Sequence, residues 1–416
     1  MSKMKVKRYS FNFIPFITIV DEMDLPVDPY VSCYINGHLS GKSTNTKLRY
    51  ANELLFVLRF FQGCGVDLTA RFASGELIGT KEYIDFYDGC CLDMVSISKG
   101  PRNDFFNVTD KLLRNLLVAN QRGVAKVSSE TLQGRIRRFR HYAEWLFGQF
   151  HDVGVRDNEL NARYKKLVSK VKLDKEGLCR NRSHSVENAG SVIPDDVFSR
   201  LLNMIKPSSP DNPFKASKLR NYLIVSLLAR TGMRRGALAK LKISDAQMWG
   251  TYDQISVYRS GNDLTDPRTD KPNQKTKAHL ATISPVLMKH IQHYVESVRL
   301  VFPKAHLHEF IFVSENDSKG TMGEPLSLKS INSIFRKLSS ALGFYLHPHM
   351  LRHKWNEIFD EEGNRQGINS ARLEDLRKYA MGWSQNSTMN QKYNEKQLAM
   401  KTRELLEAHQ KKMDQR

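Results

Sequence analysis

A basic stretch poor in large apolar residues, NARYKKLVSKVKLDKEGLCRNRSHS from Asn161 to Ser185, divides the chain into two segments that are each patterned to build a core. One core rarely spans 416 residues, so two domains joined by this stretch is the expected organisation. With 40% of its residues hydrophobic, the chain carries enough apolar surface for both. The reading is therefore an N-terminal extension of open role over 1–28, a helical domain over 29–155, a basic linker over 156–190, and a second domain over 191–416 ending in a helix. The linker fits two descriptions equally, a solvated spacer or a segment that tracks phosphates.

The first domain reads as helical. In NTKLRYANELLFVLRFFQ the apolar residues Leu48, Ala51, Leu54, Leu55, Leu58 and Phe61 recur at helical spacing, with Lys47 and Arg49 on the other face. A second helix, SSETLQGRIRRFRHYAEWLFGQF, sets Arg135, Arg137, Arg138 and Arg140 beside Ile136, Phe139, Tyr142, Trp145 and Leu146. These six cations are the candidate DNA contacts, against the simpler reading of solvated helix faces.

Charge narrows the partner. Lys plus Arg outnumber Asp plus Glu by 64 to 44, a formal charge of +20, which favours a polyanion such as nucleic acid or a membrane surface. The run FIPFITIV from Phe13 to Val20 is about half the ~20 residues a spanning helix needs and contains a proline. The start MSKMKVKRYS lacks the apolar core of a secretory signal, and five cysteines without a C-x-x-C pair suggest neither a disulfide framework nor a zinc knuckle. A cytosolic protein with no membrane partner is the expectation.

Past Ile193 the pattern changes. VIPDDVFSRLLNMI predicts a helix begun by Pro194, and SKLRNYLIVSLLARTGMRRGALAKLKISDA predicts a helix, a turn at Thr231-Gly232, and another helix. DQISVYRS and HLATISP read as short strands of a small hairpin or three-stranded sheet, separated by a polar stretch. The fold class is thus mainly α with a small antiparallel β-sheet.

Two motif readings fail on spacing and charge. GHLSGKST, Gly37 to Thr44, has only three residues between Gly37 and Gly41-Lys42, where a phosphate-binding P-loop has four. His349 and His353 in HPHMLRHKW have the four-residue zinc spacing, but Arg352 shares nearly the same face and would oppose a bound cation. A phosphate suits the stretch better. Pro348 opens a helix whose N-terminal end favours an anion, and His349 and Arg352, three apart, project together. Arg offers a planar fork of donors, and His carries a proton near neutral pH. Leu351 and Trp355 would face the core.

Farther motifs fall in a telling order: Thr231-Gly232-Met233-Arg234, Lys275 between the two strands, His349-Met350-Leu351-Arg352-His353, Gly382-Trp383, and Tyr393 ten residues past the tryptophan. This order resembles the tyrosine recombinase, or phage integrase, family over roughly Pro194 to Lys396, and the helices of Asn45 to Phe150 look like that family's SAM-like core-binding domain. The resemblance implies that Tyr393 attacks a DNA phosphodiester to form a 3′-phosphotyrosyl link, with Arg234 and Arg352 on the scissile phosphate. It further implies His349 as proton carrier, Lys275 as acid for the leaving 5′ oxygen, Trp383 as an indole N–H donor where many relatives have His, and His353 in support. It implies no nucleotide cofactor and no metal, strand exchange through a Holliday junction, a homotetramer on specific double-stranded DNA sites, an accessory DNA-bending protein, and a mobile element in a bacterial cytosol as setting. A catalytically silent DNA-binding relative and a type IB topoisomerase-like relaxase are the alternative readings. The chain departs from the family pattern in having Ala237 where an acidic residue is usual, and one extra residue between Trp383 and Tyr393. Lys271 and Lys277 compete with Lys275, which the K-T pair favours. The C-terminal segment after Tyr393 carries a partial apolar stripe, Leu398, Leu405, Leu406 and Met413, suited either to its own domain or to a neighbouring protomer.

Overall fold

The computed structural model describes residues 4–11, 14–92, 127–151, 158–180 and 192–387, apart from short gaps at 249–252, 259–262, 264, 269–271, 273, 275, 318–319 and 386. Lys275, Tyr393 and the C-terminal stripe lie outside the described residues. The chain divides into two compact units, Met1–His184 and Ser185–Arg416.

The first unit opens with an antiparallel hairpin, β1 (Lys5–Phe11) and β2 (Ile14–Val20), in the register Lys5↔Val20 through Tyr9↔Phe16. Met4, Ile17 and Ile19 are buried in the core of this unit, so the described part of 1–28 belongs to it. Asn36 closes the free edge of β2: its side chain accepts from the Ile17 N–H at 3.1 Å and donates to the Ile17 carbonyl at 2.7 Å, satisfying backbone groups that a neighbouring strand would otherwise pair. Helices α1 (Pro29–Cys33), α2 (Thr44–Gly63), α3 (Leu68–Ser74), α4 (Thr80–Cys90) and α5 (Ser129–Phe150) follow. Ser43 and Ser128 cap α2 and α5, each accepting a backbone N–H with its hydroxyl. Phe61, Phe86 and Phe139 meet with centroids 4.9–5.4 Å apart and knit α2, α4 and α5 together.

The stretch that reads as a linker is instead largely helix α6, Asn158–Arg180, within the first unit. Leu167 and Val171 are buried and the Tyr164 ring stacks on Phe147 at 3.8 Å. A stripe one residue wide, at spacings of three and four, is enough to dock a helix otherwise rich in Lys and Arg. The lysines hid it.

The second unit is mainly helical: α7 (Asp195–Met204), α8 (Lys218–Thr231), the single turn α9 (Arg235–Leu238), α10 (Pro285–His293), α11 (Leu328–Leu342), α12 (Pro348–Arg365) and α13 (Ser370–Ala380). The expected hairpin is present, β3 (Gln254–Val257) against β4 (His279–Thr282), paired from Gln254↔Thr282 to Val257↔His279. Helix α8 is buried almost all round and packs along α12. A helix with no wet face forms the centre of a core, and its C-terminal end therefore arrives at a fixed place beneath the surface. No helix among the described residues is long and apolar enough to cross a membrane.

Candidate active site

The site is built where α8 stops. Thr231 ends the helix with its hydroxyl donating to the Leu227 carbonyl at 2.6 Å, and Gly232 turns the chain in the left-handed region at φ +61°. A side chain there would be strained and would also strike Met381 and the Trp355 ring, 2.5 and 3.0 Å from an ideal Cβ. Arg234, extended and half-buried, stands at the head of α9.

Arg352 approaches this turn from α12. Pro348 takes the first helical position, as its fixed φ favours, and Arg352 follows one turn later with 1% of its surface exposed. Its Nη1 donates to the Gly232 carbonyl at 2.6 Å, tying it to the very turn that delivers Arg234. Asn356, one turn on, donates to the Arg352 carbonyl at 2.7 Å. The exposed His349 ring lies edge-to-face with His353, centroids 4.6 Å apart. Leu351 is fully buried, as its spacing predicts, and Trp355 packs on Met381 and Trp383 while donating from Nε1 to the Arg230 carbonyl at 3.0 Å.

Trp383 completes the wall. It is 6% exposed, and its ring centroid lies 5.6 Å from the Arg352 guanidinium carbon, inside cation–π range. Gly382, at φ +61°, carries the turn from α13 to Trp383, and its carbonyl accepts the Lys277 N–H at 2.8 Å. The hairpin is thereby joined to the tryptophan turn. Four sequence-derived candidates, Arg234, His349, Arg352 and Trp383, thus stand on elements that converge, with His353 beside His349. An open groove of 560 Å³ next to them is lined by Tyr258, Lys277, His279, Leu280, Lys378 and Trp383 among others.

One residue was not singled out from the sequence. His279 starts β4, and its Nδ1 is 3.2 Å from the Lys277 carbonyl and 2.6 Å from where a Cβ on Gly382 would sit. Burial pushes its basicity down, the bond to Lys277 resists this, and the cations of Arg352 and Arg234 push it down further. Strand alternation was the available signal: His279 shares a face with Ala281 and Ile283, both buried.

The family model described as the phage integrase family matches residues 191–400. The chain belongs to the phage integrase family. Comparison with curated proteins returned no match. Among solved structures of similar architecture, XerA recombinase is 19% identical, covering 91% of this chain and 98% of its own, with a TM-score of 0.35. XerH site-specific recombinase, bound to difH substrate in a pre-cleavage complex, is 13% identical over 87% and 88% of the two chains, with a TM-score of 0.44. A lambda integrase fragment, a dimer bound to a COC′ core site, is 15% identical over 76% and 95%, with a TM-score of 0.33. In this phage integrase chain the matched region coincides with the second unit, which holds every described candidate of the site.

The basic face assigned to the first unit needs correction at two positions. Arg135 donates from Nη1 to the Cys90 and Leu92 carbonyls, both at 2.8 Å, and lies over the Phe56 ring. Arg138, 2% exposed, donates to Glu53 at 3.2 Å and to the Tyr34 hydroxyl at 2.9 Å, and stacks on Tyr50 at 3.4 Å. Both guanidiniums are internal struts: the four arginines within six residues of α5 cannot all face out when its apolar stripe is aromatic and wide. Arg49 is exposed, 3.6 Å from Glu53, Arg140 is 3.5 Å from Glu144, and Lys47 and Arg137 are half-buried. Burial lowers the basicity of Lys47.

Proposed function

We propose that this chain is a site-specific DNA recombinase, an integrase of a mobile element, that cuts and rejoins strands through a 3′-phosphotyrosyl intermediate. The observation that carries the reading is the Arg352–Gly232 contact, which links the two arginine-bearing elements beside Trp383. Two guanidiniums and an indole N–H suit one tetrahedral anion: planar forks grip non-bridging oxygens, and a preorganised donor set stabilises the charge that builds on them during attack.

In this mechanism the Tyr393 oxygen attacks the scissile phosphorus and the P–O5′ bond breaks. Phenol is mostly protonated near neutral pH, so its proton passes to His349, and Lys275 protonates the departing 5′ oxygen. The phosphotyrosyl link conserves the energy of the broken diester, so a 5′ hydroxyl from another strand can reverse the step without a nucleotide cofactor. His353 steadies His349. The first unit acts as the core-binding domain, with Arg49, Lys47, Arg137 and Arg140 near phosphates. Assembly is a homotetramer on paired double-stranded sites, exchanging strands through a Holliday junction with an accessory DNA-bending protein, in a bacterial cytosol.

The test is covalent trapping. A nicked suicide duplex, carrying sequence from the flanks of the element that encodes the chain, is incubated with wild type and with Tyr393→Phe. A denaturant-resistant adduct formed by wild type alone is the expected result; an adduct with Tyr393→Phe places the nucleophile elsewhere.

A further inference from the structure

We propose that His279 is a positioning residue of this site: its imidazole fastens the start of β4 to the Gly382–Trp383 turn and holds that turn against the arginine pair. The proposal rests on the recombinase reading above and adds to it a residue outside the motif set.

Three observations meet on this ring. The Lys277 N–H donates to the Gly382 carbonyl at 2.8 Å, and the Lys277 carbonyl receives the His279 Nδ1 at 3.2 Å, so one residue's backbone is held by the turn and the strand together. Gly382 has no space for a side chain because the Lys277 carbonyl and His279 Nδ1 occupy it, which makes the approach of hairpin to turn as close as backbone allows. On the face of β4 that it shares with the buried Ala281, the ring sits half-buried at the edge of the open groove.

Chemistry selects histidine for this place. A carbonyl only accepts, so Nδ1 bears the proton and Nε2 is left as a lone pair. Beside Arg234 and Arg352 a second proton is opposed, and the ring stays neutral. A neutral ring with one fixed donor can approach two guanidiniums where another lysine or arginine would repel them. Lys275, the proposed acid for the leaving oxygen, lies four residues earlier in the same connection. Loss of the tie is therefore expected to be felt first in leaving-group protonation.

The experiment compares adduct formation on two nicked suicide duplexes, one with an ordinary scissile phosphodiester and one with a 5′-bridging phosphorothiolate, whose sulfur departs without a proton. His279→Ala is expected to slow cleavage of the phosphodiester roughly 10–100-fold, the size of a misplacement effect, and to recover most of the loss on the phosphorothiolate. His279→Asn, which keeps an N–H near the Nδ1 position, is expected to restore most of the rate on both. Wild-type speed in His279→Ala, or an equal loss on both duplexes with Asn no better than Ala, overturns the proposal. The parent reading fails separately, if wild type forms no adduct on either duplex or if Tyr393→Phe forms one.

Discussion

Arg352 donates to the backbone carbonyl of Gly232 across 120 residues of sequence, at 2.6 Å and with its side chain buried. The bond spends one guanidinium nitrogen on architecture. It fixes the plane of the remaining donors relative to the turn that leads into Arg234, as the proposed two-arginine clamp requires.

Gly232→Ala should disturb that clamp at its hinge. The new methyl meets Met381 and Trp355, and the left-handed backbone adds about 1–2 kcal/mol of strain. A lower denaturant midpoint together with slower adduct formation is expected. A variant as stable and active as wild type would show that the turn tolerates displacement.

Arg352→Ala should cost cleavage about 10²–10³-fold, as removal of one preorganised oxyanion donor does. Arg352→Lys should recover little, because an ammonium keeps the charge but not the fork that reaches Gly232 and a phosphate together. Single-turnover adduct formation at saturating protein measures both; equal rates in Arg352→Lys and wild type would mean that charge alone suffices.

In the first unit, Arg138→Ala should act on stability. It removes the buried partner of Glu53 and of the Tyr34 hydroxyl, leaving Glu53 only the surface Arg49, and is expected to destabilise by roughly 3 kcal/mol, read by thermal or urea unfolding. Arg49→Ala, on the surface, should leave stability nearly unchanged and lower the salt dependence of DNA binding by about one unit of slope. The reverse pattern would return Arg138 to the DNA face.

Leu167→Ala tests whether the basic segment is structural. Its side chain is buried against the first unit's core, so a loss of about 2–5 kcal/mol is expected. A solvated linker would show none.

Acid should loosen the second unit. His279 and His308 both have basicity depressed chiefly by burial, so the unfolded chain binds protons more readily than the folded one. Their contribution to stability is fully present above the ordinary histidine value near 6.5 and is lost as pH falls from there toward the depressed folded values. Melting temperature should decline through this window, and less steeply in His308→Gln, whose side chain cannot charge.

Much of this was legible in one dimension. Periodicity located α2, α5, α7 and α8, alternation located β3 and β4, and motif order singled out Arg234, His349, Arg352 and Trp383, whose elements the fold brings together, because each is a local statement about spacing or residue chemistry. Charge misled where a long cation was equally suited to water or to an internal carboxylate. Arg138 and Arg49 look alike in sequence, yet only the packing of α5 against α2 and the aromatic rings decides which guanidinium finds Glu53 in the interior. The helix Asn158–Arg180 was hidden for the same reason, its narrow stripe meaning nothing until Phe147 and the core were there to receive it. His279 was invisible as chemistry because its partners, Gly382 and the two arginines, come from three distant segments. Sequence set which residues could do the work; tertiary structure decided which of them meet, since burial and approach depend on neighbours that no local pattern contains.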